Sequence, residues 1–294
     1  MPWLINAAQV DKFRKSQKAL IILDASIHLA TEERDARTEF NEKHIVGAQF
    51  FDIDAFSDTS SNAPHNHMIA LDEDAISQKL GAMGLRNDFK IILYDNSKLH
   101  SACRALWMLK LFGHNPQQLY ILDGGLNAWD KYGGKVEGGA STMAAKSYKA
   151  SLQPELMRTL TQMQQNQTTP TEQVVDVRHA VRYAGGPEPR PGLRGGHIPG
   201  SFSFPYTTMF DKNDCWRPLE KIRQQFTGIG ADINSPVITT CGSGLTAPVL
   251  NFALDLLGNT QNSVYMGSWT EWGAEKLYAG ETDLTSRAVI TSLD

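Results

Sequence analysis

With 294 residues the chain is about twice as long as a common single domain, so two domains are expected rather than one. A hydrophobic share of 41% supplies ordinary buried cores and excludes a largely disordered chain. The formal net charge of -4, with no block of basic residues, makes a nucleic-acid partner unexpected.

The opening stretch MPWLINAAQVDKFRK lacks the positive flank and apolar run of a secretory signal, and no later stretch is apolar for long enough to span a bilayer. A cytoplasmic protein with no membrane partner is therefore expected. The β-branched runs LIILD, KIILYD and QLYIL read as short strands, and ACRALWMLKLFG between the last two reads as an amphipathic helix. Strands alternating with helices predict an α/β fold in which a parallel sheet is covered on both faces. GGKVEGGASTMAAKSYKASLQP has no strong period and reads as a linker, after which PELMRTLTQMQQN opens a second unit.

The two halves align with each other. KALIILDAS and KHIVGAQFFDID in the first match EQVVDVRHA and GGHIPGSFSFPYT in the second, pairing Asp24 with Asp176 and His44 with His197. FKIILYDNSKLHSACRALWMLKLFG matches SPVITTCGSGLTAPVLNFALDLLG, which sets Asp95 opposite Cys241. YILDGGLNAW matches VYMGSWTEW, pairing Trp129 with Trp272. A repeated histidine or tryptophan in both copies points to packing, whereas the Asp95/Cys241 difference points to one silent and one live copy.

The chemistry concentrates where the strand PVITT runs into CGSGLT and then into the helix APVLNFALDLLG. A cysteine at the carboxyl end of a parallel strand, before a Gly-rich turn into a helix N-terminus, faces a ring of backbone N–H groups that favours its thiolate. Gly242 and Gly244 are expected to give the turn its partly left-handed path. Cys241 is thus a candidate nucleophile. A phosphatase loop of this kind would end in an arginine, but the sixth residue after the cysteine is Ala247. Cys103 reads as core and Cys215 as a loop thiol, and three scattered cysteines make neither a disulfide framework nor a zinc site. No dinucleotide or P-loop motif is present, so no cofactor and no metal are expected.

CGSGLTA resembles the active-site loop of the 3-mercaptopyruvate sulfurtransferases, a group within the tandem-rhodanese superfamily whose usual form is CGSGVTA. The resemblance extends through RYAGGPEPRPGLRGGHIPGS, AQFFDIDAFSD, YDNSKLHSACRALWM, LDGGLNAW and GSWTEWGA, and so covers nearly the whole chain. It implies two tandem rhodanese-like domains: a silent one over residues 1–138, a linker at 139–153, and one carrying the cysteine over 154–294. It also implies that Cys241 takes sulfur from 3-mercaptopyruvate as a persulfide, releases pyruvate, and passes the sulfur to a small thiol, cyanide or a protein thiol such as thioredoxin.

In this resemblance Arg182 and Arg190 match the arginines that bind the substrate carboxylate, although the stretch between them is one residue shorter than in some relatives. The backbone from Gly242 through Gly244, Leu245 and Thr246 would hold the sulfur. Ser243 would pass a proton, and Asp54 with His67 would complete a relay to it, with His65 competing for the histidine's place. The neutral side chains after Cys241 favour an uncharged sulfur end over thiosulfate. A thiosulfate sulfurtransferase and a non-catalytic sulfur carrier remain as alternatives. Met266 stands where relatives often carry Asp, a change with no functional account.

Overall fold

A computed structural model describes residues 3–60, 63–278 and 280–291. The chain divides into two compact units, neither of them an unbroken stretch. Unit 1 holds the chain up to Ser57, Ile69–Gln153 and Phe210–Trp216; unit 2 holds Asp58–Met68, Pro154–Met209 and the chain from Arg217 onward. Among the described residues no helix is long and apolar enough to cross a membrane.

In unit 1 the strands are β1 (Trp3–Ile5), β2 (Leu20–Asp24), β3 (His44–Ile45), β4 (Gln49–Phe50), β5 (Lys90–Tyr94), β6 (Leu119–Leu122) and β7 (Val136–Glu137). Five of them form a parallel sheet in the order β1-β6-β5-β2-β4, while β3 and β7 pair antiparallel beside it. The helices are α1 (Ala7–Ser16), α2 (Ala36–Glu42), α3 (Glu73–Ala82), α4 (Ala102–Leu111) and α5 (Gly125–Tyr132).

Unit 2 repeats the plan. Its strands β8 (Met157–Arg158), β9 (Gln173–Asp176), β10 (Phe202–Ser203), β11 (Val237–Thr240) and β12 (Asn262–Tyr265) are parallel in the order β8-β12-β11-β9-β10. Its helices are α6 (Leu160–Thr168), α7 (Ala180–Tyr183), α8 (Leu219–Gly228), α9 (Ala247–Leu256) and α10 (Ser268–Trp272). The strand order of one sheet maps onto the other element by element, as the internal alignment predicts.

The central strands are apolar on both faces, as a sheet covered by helices requires. Ile91, Ile92 and Leu93 of β5, with Val237 and Ile238 of β11, are fully buried, each such side chain contributing roughly 1.5–3 kcal/mol. The expected amphipathic helix α4 is instead buried along its whole length, and its Arg104 lies with the guanidinium 4.8 Å above the Trp107 ring. The apolar stripe read from the sequence was only part of a helix enclosed on every side.

The paired histidines do the same work in each unit. His44 stacks on Phe40 at 3.9 Å and bonds its carbonyl through Nδ1, and His197 stacks on Tyr183 at 3.7 Å and bonds that residue's carbonyl. Trp129 and Trp272 are both fully buried and each donates its indole N–H to a carbonyl, of Lys135 and Ala288. Cys103 is buried, which pushes its thiol up, and Cys215 is half-buried with its thiol raised by burial and by Asp123 and Asp211.

The same registry places the residues that differ. In unit 1 the N–H of Ala25 bonds the carbonyl of Tyr94, the last residue of β5, and in unit 2 the N–H of Val177 bonds the carbonyl of Thr240, the last of β11. Asp95 and Cys241 therefore leave equivalent strands at equivalent points. Asp95 accepts from the N–H of Ala102 at 2.7 Å and of Ser97 at 3.3 Å, so its own carboxylate occupies the turn before α4.

Burial pushes the Asp95 carboxyl up to about 7 despite those two N–H donors. The unfolded chain releases this proton near the ordinary carboxylate value, so stability from this group is present at low pH and is lost as pH rises toward 7. Asp95→Asn should remove that loss: denaturation midpoints of wild type and variant measured at pH 5 and pH 8 should diverge at the higher pH in favour of the variant, and an unchanged difference would contradict the assignment.

Candidate active site

β11 delivers Cys241 into the interior of unit 2, where the residue is 1% exposed. The chain then turns through Gly242, Ser243, Gly244, Leu245 and Thr246 into α9, whose first turn carries Pro248, a residue that needs no N–H partner there. Gly244 has φ +77°, the left-handed path expected of it, and its N–H donates to Cys241 Sγ at 3.1 Å. Gly242 does not take up a left-handed conformation, contrary to expectation. Its small size is what matters: a Cβ there would lie 3.3 Å from Arg190 Nη1 and 3.4 Å from Arg182 Nη2.

Both guanidiniums are thus gathered over the residue that follows the cysteine. Arg190 donates to Ser243 Oγ at 3.1 Å and to Thr270 Oγ1 at 3.2 Å, and Thr270 in turn donates to the carbonyl of Gly242 at 2.7 Å. Burial lowers the Arg190 pKa from its ordinary value, with Arg182 adding to the effect and Cys241 and Glu188 opposing it. Arg182 rests on Glu188, whose Oε2 lies 2.5 Å from Nη2. The other oxygen of Glu188 takes a bond from Arg178 at 2.7 Å, and Arg178 is itself clamped by Asp176 and stacked 4.1 Å over Trp269.

α10 closes the turn from the other side. The N–H groups of Trp269 and Thr270 donate to the carbonyls of Cys241 and Gly242. Ser268, held at φ +49° and fully buried, accepts the N–H of Cys241 at 3.2 Å, donates to the carbonyl of Tyr265 at 2.8 Å, and sets its hydroxyl 3.9 Å from the sulfur. One N–H and one hydroxyl lie beside the sulfur and two guanidiniums over the next residue, a set suited to an anion and ill suited to a metal cation.

Cys241, Ser243, Gly242, Gly244, Arg182 and Arg190 are therefore brought together in unit 2; Leu245 is buried behind the turn, and Thr246 caps α9 without a side-chain bond. His67 belongs to the Asp58–Met68 segment of the same unit, where its N–H donates to His65 Nδ1 at 3.1 Å. His65 meets the carbonyl of Met266 through Nε2 at 3.2 Å. Asp54 is exposed on the 3-10 turn Ile53–Phe56 of unit 1. Ser268, Thr270 and Glu188 were not singled out from the sequence. The one local hint was that GSWTEW and GPEPRPG belonged to the matching stretches.

The model of the rhodanese-like domain matches this chain twice, over residues 6–132 and 159–275. The chain belongs to the rhodanese family. Its two rhodanese-like domains have relatives along nearly their full length. A human 3-mercaptopyruvate sulfurtransferase is 37% identical over 275 residues, covering 92% of this chain and 91% of that protein. The mitochondrial thiosulfate/3-mercaptopyruvate sulfurtransferase 1 of Arabidopsis thaliana is 35% identical over 278 residues, 87% of this chain and 72% of that protein. Among solved structures, SseA of Escherichia coli, a 3-mercaptopyruvate sulfotransferase, superposes with a TM-score of 0.81 at 31% identity, covering 92% of this chain and 99% of that one.

Replacing Ser268 by Ala would leave the buried N–H of Cys241 without its acceptor, at a cost of about 1–3 kcal/mol. A denaturation curve at the wild-type midpoint for Ser268→Ala would show that the hydroxyl does not hold the turn.

Proposed function

We propose that this rhodanese is a sulfurtransferase that takes sulfur from 3-mercaptopyruvate and carries it as a persulfide on Cys241. The observation that carries the reading is the convergence of Arg182 and Arg190 over Gly242, beside a cysteine that already accepts the Gly244 N–H. Two guanidinium forks suit the carboxylate of a keto acid whose sulfur end must reach Cys241. The names of the relatives agree with this donor.

In the proposed reaction the Cys241 thiolate attacks the donor's thiol sulfur. The S–S bond forms as the C–S bond breaks, and the departing electron pair is delocalised as the enolate of pyruvate. A proton then converts the enolate to pyruvate. Ser243 accepts from Arg190, which leaves its own O–H to donate toward that enolate. Asp54 and His67 would resupply the proton, a role supported by the sequence match. His65, which competes for the place, meets the carbonyl of Met266 through Nε2 and accepts the N–H of His67 through Nδ1. The persulfide anion would stay in the turn from Gly242 to Thr246 until an acceptor, a small thiol, cyanide or a protein such as thioredoxin, removes the outer sulfur.

Thiosulfate is the second reading, since the Arabidopsis relative is named for both donors and a pair of arginines also attracts a dianion. A cytoplasmic location belongs to the proposal as well, and rests on the sequence reading.

Pyruvate release from 3-mercaptopyruvate in the presence of cyanide or a thiol tests the reading. Cys241→Ser should abolish it with the melting transition retained, and appreciable residual turnover would remove Cys241 from the mechanism. Arg182→Ala deletes a charge-assisted bond of about 1.5–3 kcal/mol, so kcat/KM for 3-mercaptopyruvate should fall roughly tenfold to a hundredfold, chiefly through KM. Unchanged kinetics would show that Arg182 does not bind the donor.

A further inference from the structure

We infer that Glu188 sets the charge of the donor site, and that its carboxylate is a specificity-determining group that favours singly charged over doubly charged sulfur donors. The inference rests on the proposed sulfur-transfer reaction. Glu188 is 2% exposed at the side chain and is shared between two guanidiniums, 2.7 Å from Arg178 and 2.5 Å from Arg182. Arg178 is equally buried and is already neutralised on its far side by Asp176 at 2.7 Å. The string thus runs Asp176, Arg178, Glu188, Arg182, alternating in sign, and only its last member is partly open to solvent, at 24%.

Together with Arg190, three guanidiniums face two carboxylates, leaving one net positive charge over Gly242. A thiolate on Cys241 balances it. A donor with one carboxylate then adds a single negative charge that Arg182 and Arg190 can share. A dianion brings a second charge that the Glu188 carboxylate, paired with Arg182 at 2.5 Å, repels. Removing the Glu188 charge frees Arg182 from its partner and raises the site by one unit, an increment felt twice by a dianion and once by a monoanion. At the effective dielectric of a half-buried site, such an increment corresponds to a preference change on the order of tenfold.

The test compares kcat/KM for 3-mercaptopyruvate and thiosulfate, with a common cyanide acceptor, in wild type, Glu188→Gln and Glu188→Asp. The thiosulfate-to-mercaptopyruvate ratio should rise about tenfold in Glu188→Gln. It should rise in the same direction but by less in Glu188→Asp, whose shorter side chain withdraws the charge from Arg182 without deleting it. High salt should shrink both changes. If Glu188→Gln fails to fold, Glu188→Asp decides alone. Equal losses for both donors, the signature of a merely structural residue, or a ratio moved toward 3-mercaptopyruvate would overturn the inference while leaving the sulfur-transfer reading intact. Wild type inert toward both donors would overturn the two together.

Discussion

A cysteine sulfur buried at the end of a parallel strand is the point from which the polar contacts of unit 2 spread. The strand β11 buries Cys241, the turn after it supplies the N–H of Gly244, and Ser268 of α10 accepts the N–H of Cys241. Arg182 and Arg190 add positive charge over Gly242, and each needs support of its own in turn. Glu188 and Arg178 hold the first, Ser243 and Thr270 the second. The ionic string behind Arg182 thus supports a guanidinium held over the residue that follows the buried cysteine.

Unit 1 shows the same scaffold with a carboxylate at the strand end. Asp95 stands where Cys241 stands, and its carboxylate takes the N–H groups of Ala102 and Ser97 that would otherwise face an external anion. A carboxylate in that place offers no thiol to carry sulfur. The two copies of the fold thus differ at the strand end, with a carboxylate in one and a thiol in the other.

The internal repeat, the parallel sheets and the position of Cys241 were legible in the sequence because each depends on local pattern: β-branched runs, a Gly-rich turn, a repeat of half the chain. The pairing of His44 with His197 and of Trp129 with Trp272 was legible for the same reason, and both pairs do matching structural work. Ser268 and Thr270 were not, since what brings them to the cysteine turn is a serine in a left-handed conformation that no spacing rule signals. Arg190 reaches Ser243 across 53 positions of sequence and Thr270 across 80, distances over which only the folded sheet sets proximity. Gly242 was read as a conformational hinge when its role is to leave room for two guanidiniums, a demand made by distant residues.

The central claim is that Cys241 itself carries the transferred sulfur. Peptide mass spectrometry after brief exposure of the protein to 3-mercaptopyruvate, with pyruvate measured in the same sample, tests it most directly. One added sulfur on the peptide containing Cys241, in step with pyruvate release, is the predicted result. Pyruvate without sulfur on that peptide, or sulfur on Cys103 or Cys215 instead, would contradict the account.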